Sequence, residues 1–360
     1  MNFLSKITLF LFLIPILTQA NEVKKRHEKT RTIKKEYNVS KNGKVSISNK
    51  YGDVKVTTWS KNQVEINVTI TVKGDDLGDV EEKFENIDVI FEANNDFVSA
   101  RTTFEKERKS WSFWKNNNNI SYKINYDVKL PETNNADLNN DYGSILLSKL
   151  SGTANINCDY GKISVGELLA ENNSINLDYC SSSTIGFIKS GNINADYSKL
   201  TIEDSENLKI NSDYTTINIE KVNSVNFNTD YGSVTIDDAV SVDANSDYTG
   251  MRFGTIRKSL NVDTDYGSVS IKNLAKGFDF VTIDGQYAGI RIDVDPDAVF
   301  DFELDLQYAS FKGDESKMEF FKKISKTTKK YYEGKFGKGS TNSKIKIRSQ
   351  YGGVSIKENN

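Results

Sequence analysis

Histidine is almost missing from this chain, and that absence excludes more chemistry than any other feature. The 360 residues contain one, His27, in a basic stretch near the N-terminus. Catalysis by a serine or cysteine nucleophile needs an imidazole held beside it, and the usual zinc sites need clusters of His or Cys. With one His and two Cys neither can be assembled. No catalytic residue, metal ligand or cofactor is therefore assigned. Two cysteines also exclude a disulfide scaffold. Apolar residues amount to only 37%, which points to a thin, elongated core rather than a thick globule. A formal charge of −3 gives no bulk attraction to nucleic acid, and no such partner is expected.

Residues 1–20 read as an export signal. Lys6 precedes an apolar run from Ile7 to Leu17, and Thr18-Gln19-Ala20 offers a neutral, small-ended cleavage site. The run is too short for the ~20 residues of a spanning helix, and no later segment is long and apolar enough to span. Asn21, not Cys, comes next, which argues against a bacterial lipid anchor. The expected mature protein is exported and soluble, in the periplasm or at the cell surface. Residues 21–36 read as a basic linker.

A repeat dominates the second half of the chain. The unit Asp-Tyr-Gly-Ser-Val-x-Ile, with substitutions, recurs ten times, at Tyr142, Tyr160, Tyr179, Tyr197, Tyr214, Tyr231, Tyr248, Tyr266, Tyr287 and Tyr308. Two isolated copies stand outside the run, around Tyr51 and Tyr351. The residue four before each Tyr is apolar (Ile156, Ile175, Ile193, Ile210). So, with the exception of Ser182, is the residue three after it (Ile163, Leu200, Ile217, Val234). Two before it stand small or neutral residues such as Cys158, Ala195, Ser212 and Thr229. Alternation on each side of the Tyr means two half-buried strands per unit, joined by a bend. Gly follows the Tyr in only four of the ten copies, so the bend is read as one that does not demand positive φ.

Two readings are open, an antiparallel meander and a β-solenoid. A solenoid stacks equivalent residues in columns and rewards keeping one residue type per column. The Tyr column is complete and Asp precedes Tyr in eight of ten copies, which favours an all-β solenoid over residues 132–310. Stacked in this way, Cys158 and Cys180 fall roughly 10 Å apart along the strand direction, too far to bridge, and both are expected to be reduced. Residues 37–131 read as an irregular β-rich capping region. Within it lie strands near 64–72, 87–91, 97–104 and 121–130 and a short helix within 75–86. Pro131 is its boundary with the repeats. Residues 311–346 break the period with 11 Lys against four acids and read as an excursion with a short helix near Phe320 and Ile324. Residues 347–360 close the repeats.

Export signal, an irregular β segment ending Val128-Lys129-Leu130-Pro131 and iterated strand–turn–strand units together resemble the toast-rack repeat proteins of bacterial envelopes, a family whose members are described as candidate adhesins. The resemblance spans roughly residues 40–357. It implies an exported β-solenoid tied to surface attachment or envelope stress, and it implies no catalytic residues. The near-constant Asp-Tyr pair departs from the family's Gly-centred turn.

Two columns are candidates for function. The Asp column has a plain reading, carboxylates accepting backbone N–H bonds at the bend, and a sharper one, Ca²⁺ binding. Strand phase turns the Tyr inward to cap the core. An outward Tyr would instead display a ladder of rings suited to stacking on sugars or another surface. On that reading Tyr160, Tyr197, Tyr214, Tyr231, Tyr248 and Tyr266 form a ligand-binding surface. Residues 132–310 carry 28 acids and 12 bases, while the Lys-rich excursion and the basic stretch Lys24–Lys35 are suited to phosphate-bearing envelope polymers. The expected function is a non-catalytic binding or structural module of the cell envelope, adhesin-like, with a glycan or protein partner. A periplasmic envelope-stress scaffold and a carbohydrate-active β-helix enzyme are the alternatives.

Overall fold

A computed structural model describes residues 26–105 and 119–359; the expected export signal lies outside the described residues. The described chain is nearly all β, with one α-helix, Leu77–Glu85. The helix falls within the expected 75–86, and its N-cap Asp76 accepts a hydrogen bond from the Asp79 N–H. Strands Gln63–Gly74, Ile87–Ala93, Phe97–Phe104 and Ser121–Pro131 cover the four expected positions.

Each repeat sends one strand up to its Tyr and another away from it, and equivalent strands pair in parallel. Ile156 lies opposite Ile175, Ile175 opposite Ile193, and Asp196 opposite Asp213. Pairing with the same residue one repeat on makes a β-solenoid and rules out the meander. From Ser183 to Asp265 the departing strand of one Tyr runs on into the approaching strand of the next. The result is single elements of 14–16 residues such as Lys199–Asp213. Inward side chains of the two strand rows fill one continuous core. Two inward columns supplement those legible in the sequence. They lie six before the Tyr (Leu208, Val225, Val242, Leu260) and eight after it (Val222, Ala239, Ile256, Leu274), all buried.

The bend is left-handed, contrary to the expectation from its sparse glycines. All twelve repeat tyrosines have φ between +49° and +66°. The residue that takes the positive φ is the Tyr itself, not the one after it. The left-handed step reverses the facing of that one residue. Residues four and two before the Tyr face inward, the Tyr faces out, and the next residue faces in again.

The residue after the Tyr is thereby pressed against the preceding turn, where two kinds of residue recur beside Ala288 and Ala309. One is Gly: a Cβ on Gly161 would stand 1.9 Å from the Gly143 carbonyl oxygen. The other is a small donor. The hydroxyls of Ser198 and Thr215 donate to the carbonyls of Leu177 and Ala195 at 3.3 and 2.8 Å, and Cys180 Sγ donates to the Cys158 carbonyl at 3.0 Å. The two cysteines are therefore neighbours rather than 10 Å apart, because the bend folds Cys180 back over Cys158. Both are free and buried. The hydrogen bond with Cys180, with burial behind it, pushes the Cys158 thiol pKa up. The extra residue of the 19-residue unit is Ser182, itself left-handed at φ +57°, a corner bulge that lets Ser183 turn inward.

Chain order and stack order part at both ends. Lys44–Lys50 pairs with Asn135–Asp141, so the Tyr51 unit stacks directly on the Tyr142 unit. Lys344–Gln350 enters between Phe280–Gln286 and Phe300–Gln307, parallel to both. The last repeat in the sequence is thus the second from the end of the stack. Beyond the first turn, the stretch read as a basic linker is largely a strand. His27–Asn38 runs antiparallel to Gln63–Gly74, which itself runs antiparallel to Ser121–Pro131. At the other end the Lys-rich excursion is a hairpin, Met318–Ser325 with Lys329–Phe336, laid antiparallel on Phe300–Gln307. The expected helix is absent there. An open sheet edge supplies backbone partners that a helix would leave unused, and only Glu315–Lys317 is helical, as one 3₁₀ turn. Phe320 packs against Phe302 and Tyr332 to close the core.

Crowding behind the bend gives a test with an internal control. Gly161→Ala should lower stability by about 1–3 kcal/mol through overpacking. Gly289→Ala, where nothing lies within 4 Å of the new methyl, should stay within about 0.5 kcal/mol. Urea midpoints of the two variants measure the difference, and equal midpoints would contradict the packing argument.

Candidate functional site: an outward tyrosine ladder

The left-handed bend settles which way the tyrosines point. Eleven of the twelve are 45–53% exposed and Tyr51, at one end, is half-buried; all lie outside the core, so the inward-capping expectation gives way to the outward ladder. Tyr160, Tyr197, Tyr214, Tyr231, Tyr248 and Tyr266 lie in one row, and Tyr179 completes it between the first two. The row runs without a gap from Tyr51 and Tyr142 at one end to Tyr287, Tyr351 and Tyr308 at the other. Ring centroids are 4.7–5.1 Å apart and planes lie within 10° of parallel. Eleven steps make a ladder roughly 54 Å long, set by the spacing of hydrogen-bonded strands.

Backbone hydrogen bonds fix this geometry. The Tyr197 N–H donates to the Asp213 carbonyl at 3.0 Å, Tyr214 to Asp230 at 3.0 Å and Tyr231 to Asp247 at 3.0 Å. Each Tyr is thereby tied to the residue preceding the next. At the far end the Tyr308 N–H donates to the Thr328 carbonyl at 2.7 Å, so the hairpin turn takes the place of a thirteenth repeat. At the near end Tyr122 and Phe104 close edge-on against Tyr51, with Lys50 over the rings of Tyr51 and Tyr142.

Stacking changes what the ladder can offer. Within the row each ring is offset-stacked between two neighbours, so a sugar cannot lie between rings. The free features are ring edges, phenol hydroxyls repeating about every 4.9 Å, and the outer face of Tyr308. Beside Tyr51 the ladder opens into a shallow cleft of about 550 Å³, lined by Tyr51, Asp53, Lys73, Tyr122, Lys123 and Tyr142. Lys123 pairs there with Asp53 at 2.8 Å.

Two polar columns flank the tyrosines. Asp carboxylates do accept backbone N–H groups. The Asp213 N–H donates to Asp196 at 3.0 Å and the Asp247 N–H to Asp230 at 3.1 Å. Partial burial, and then the charges of neighbouring carboxylates, hold Asp159, Asp213 and Asp265 above the usual aspartate range. Among the described residues no group of three or more His, Cys, Asp or Glu is arranged to hold a metal ion. A second column, missed in the sequence, stands three before the Tyr. Asn157 donates to Asn139, Asn176 to Asn157 and Asn194 to Asn176 at 2.6–2.7 Å. Its signal was the Asn in seven successive units from Asn139 to Asn245.

No known protein family matches the chain, and no curated protein matches it. Solved structures similar to it include a protein from Clostridium sporogenes described as a candidate cell adhesion protein. It is 12% identical, with a TM-score of 0.18, over 92% of this chain and 100% of that one. A candidate adhesin from Parabacteroides merdae is 10% identical, TM-score 0.34, over 73% and 92%. A candidate lipid-binding protein from Parabacteroides distasonis is 15% identical, TM-score 0.34, over 76% and 96%. At such scores the likeness carries no functional conclusion.

The ladder makes two tests. Tyr214→Ala and Tyr214→Gly both remove one ring, but only Ala retains the steric cost of the left-handed backbone. The Gly variant should be the more stable by about 1 kcal/mol, measured by urea titration; an Ala variant at least as stable would refute the role given to φ. For the Asp column the sign follows from linkage. A carboxyl whose folded pKa is raised binds its proton more tightly in the folded state. Its stabilising contribution is complete below the ordinary value of 3.8 and is lost as pH rises through the raised folded value. Asp213→Asn should therefore raise the melting temperature at pH 7 and flatten that decline, an effect that shrinks with added salt.

Proposed function

We propose that this chain is an exported, non-catalytic binding module of the bacterial cell envelope, adhesin-like, and that the tyrosine ladder is its contact surface for an extended glycan chain. The observation that carries this is the choice of residue at the bend. A left-handed backbone costs an L-residue roughly 1–2 kcal/mol and Gly almost nothing. An aromatic pair returns only about 0.5–1.5 kcal/mol beyond the area it buries. Twelve bends against eleven stacked pairs leave ring stacking short of the backbone cost, so stacking alone does not explain Tyr in place of Gly. Twelve tyrosines are better explained by what they display. A row of evenly spaced hydroxyls and ring edges suits a linear polymer held by many weak contacts, whose affinity grows with the length engaged.

Tyr197→Phe/Tyr214→Phe/Tyr231→Phe keeps the stack and removes only hydroxyls, whereas replacing the same three by Asn removes the rings and tolerates the left-handed backbone. Binding of the mature chain to oligosaccharides of increasing length, by calorimetry or on a glycan array, should strengthen with length and release no product. It should weaken at least tenfold in the Asn variant and by less in the Phe variant. Length-independent binding, or an Asn variant that binds unchanged, would refute the ladder as the contact surface. Release of new reducing ends would overturn the non-catalytic reading. Protease added to intact cells should remove the repeats while a periplasmic control survives; full protection would move the protein to the periplasm, as a scaffold.

A further inference from the structure

The Lys-rich hairpin sits where a solenoid needs only a cap, yet it carries more than capping requires. Phe320 and Tyr332 already close the core. Phe321, the next residue along, falls at a register shift between Phe320 and Lys322, a β-bulge that re-aims a side chain. It is 59% exposed, and Ile324 three residues on is 40% exposed. Tyr331 lies directly opposite Ile324. The same hairpin carries lysines at positions 322, 323, 326, 329 and 330. Lys322 lies over the Tyr331 ring, Lys323 reaches Glu315 at 3.8 Å and Lys329 reaches Asp305 at 3.4 Å. Among the described residues, Lys322, Lys326 and Lys330 have no carboxylate within ion-pair distance.

We infer that this hairpin docks the end of the rod onto an anionic phospholipid surface. Two observations select that occupant. The lysines supply attraction to a negatively charged plane. Exposed Phe321 and Ile324 gain by entering the headgroup–acyl boundary, whereas a solvated polyanion would leave them in water. The charge of the body sets the orientation. Residues 132–310 carry 28 acids against 12 bases, so the same surface repels the rod's flank and admits only its tip. The Tyr ladder then stands away from the bilayer. The other basic edge strand, His27–Asn38, lacks an exposed large apolar side chain and is not the docking end.

The test is co-sedimentation of the mature chain with vesicles of phosphatidylglycerol and phosphatidylcholine, and with phosphatidylcholine alone, in low and physiological salt. Binding is expected only to the anionic vesicles. It should fall at least tenfold in Lys326→Glu/Lys329→Glu/Lys330→Glu and several-fold in Phe321→Ser, and stay unchanged in Lys34→Glu/Lys35→Glu. Unchanged circular dichroism and melting temperature serve as controls that the exposed substitutions spare the fold. No binding to anionic vesicles by the unaltered chain would overturn the proposal. So would binding that survives the triple substitution, or a Phe321→Ser variant that loses nothing while soluble polyphosphate binds as tightly as vesicles; that last result would assign the hairpin to a dissolved polyanion. Glycan binding by the ladder variants is read separately, so either surface can fail without the other.

Discussion

A strand that alternates inward and outward cannot turn a sharp corner and keep its apolar residues on the core side unless one residue breaks the alternation. Here a single left-handed residue per turn does so, and most of the molecule depends on it. The reversed residue must face water, so the tyrosines form a column outside. The residue after it must face the core at close quarters, so that column is Gly, Ala or a small hydrogen-bond donor. Because the same reversal occurs in every turn, successive bends repeat one backbone geometry, and the parallel ladder of Tyr N–H to carbonyl bonds runs unbroken through twelve units. A corner built from a longer loop would tolerate variation between turns and would lose that match.

The ends obey a different constraint. Interior turns meet only their sequence neighbours, which keeps loop-closure cost low. The Tyr351 unit instead enters between two turns already adjacent in sequence, Tyr287 and Tyr308. The chain must therefore leave the stack, run the hairpin out and back, and return. The hairpin occupies the edge that the Tyr308 turn would otherwise expose, and its outer strand carries lysines that discourage further pairing. The cap therefore forms from long-range contacts while the body forms from short-range ones. The C-terminal turns depend on the final 17 residues described, 343–359, in a way that no interior turn depends on the chain end.

Much of this was legible in the residues. Repetition of Asp-Tyr with apolar residues at fixed offsets was enough for a parallel solenoid. The alternation from Val64 to Val72 was enough for a strand, and residues 75–86 were enough for a short helix. What was hidden is a matter of backbone sign. Gly is the usual mark of a left-handed position; when Tyr occupies it the mark is gone, and phase counting then places the ring on the wrong side. The same missed sign put Cys158 and Cys180 far apart when they touch. Lys-rich 311–346 was hidden for another reason. Phe320 and Ile324 lie four apart, a helical spacing, but a waiting sheet edge is a tertiary fact that no local pattern contains.

The charge along the ladder narrows what can lie on it. In stack order the residue before the Tyr is Lys50, then eight Asp from Asp141 to Asp265, then Gln286, Gln350 and Gln307. The Gln exceptions, scattered in the sequence, are adjacent in space and end the acidic column on the side of the basic hairpin; Lys50, 3.6 Å from Asp141, ends it on the other. Stacking like charges at about 4.9 Å costs stability, and the column is confined to the central turns rather than diluted along the rod. A single-sign strip beside the ring edges sets a field that an anionic polymer must climb and a neutral or cationic one need not. The ladder is thus suited to an uncharged or basic chain, while the attraction for anions is held at the hairpin, at the far end of the same molecule.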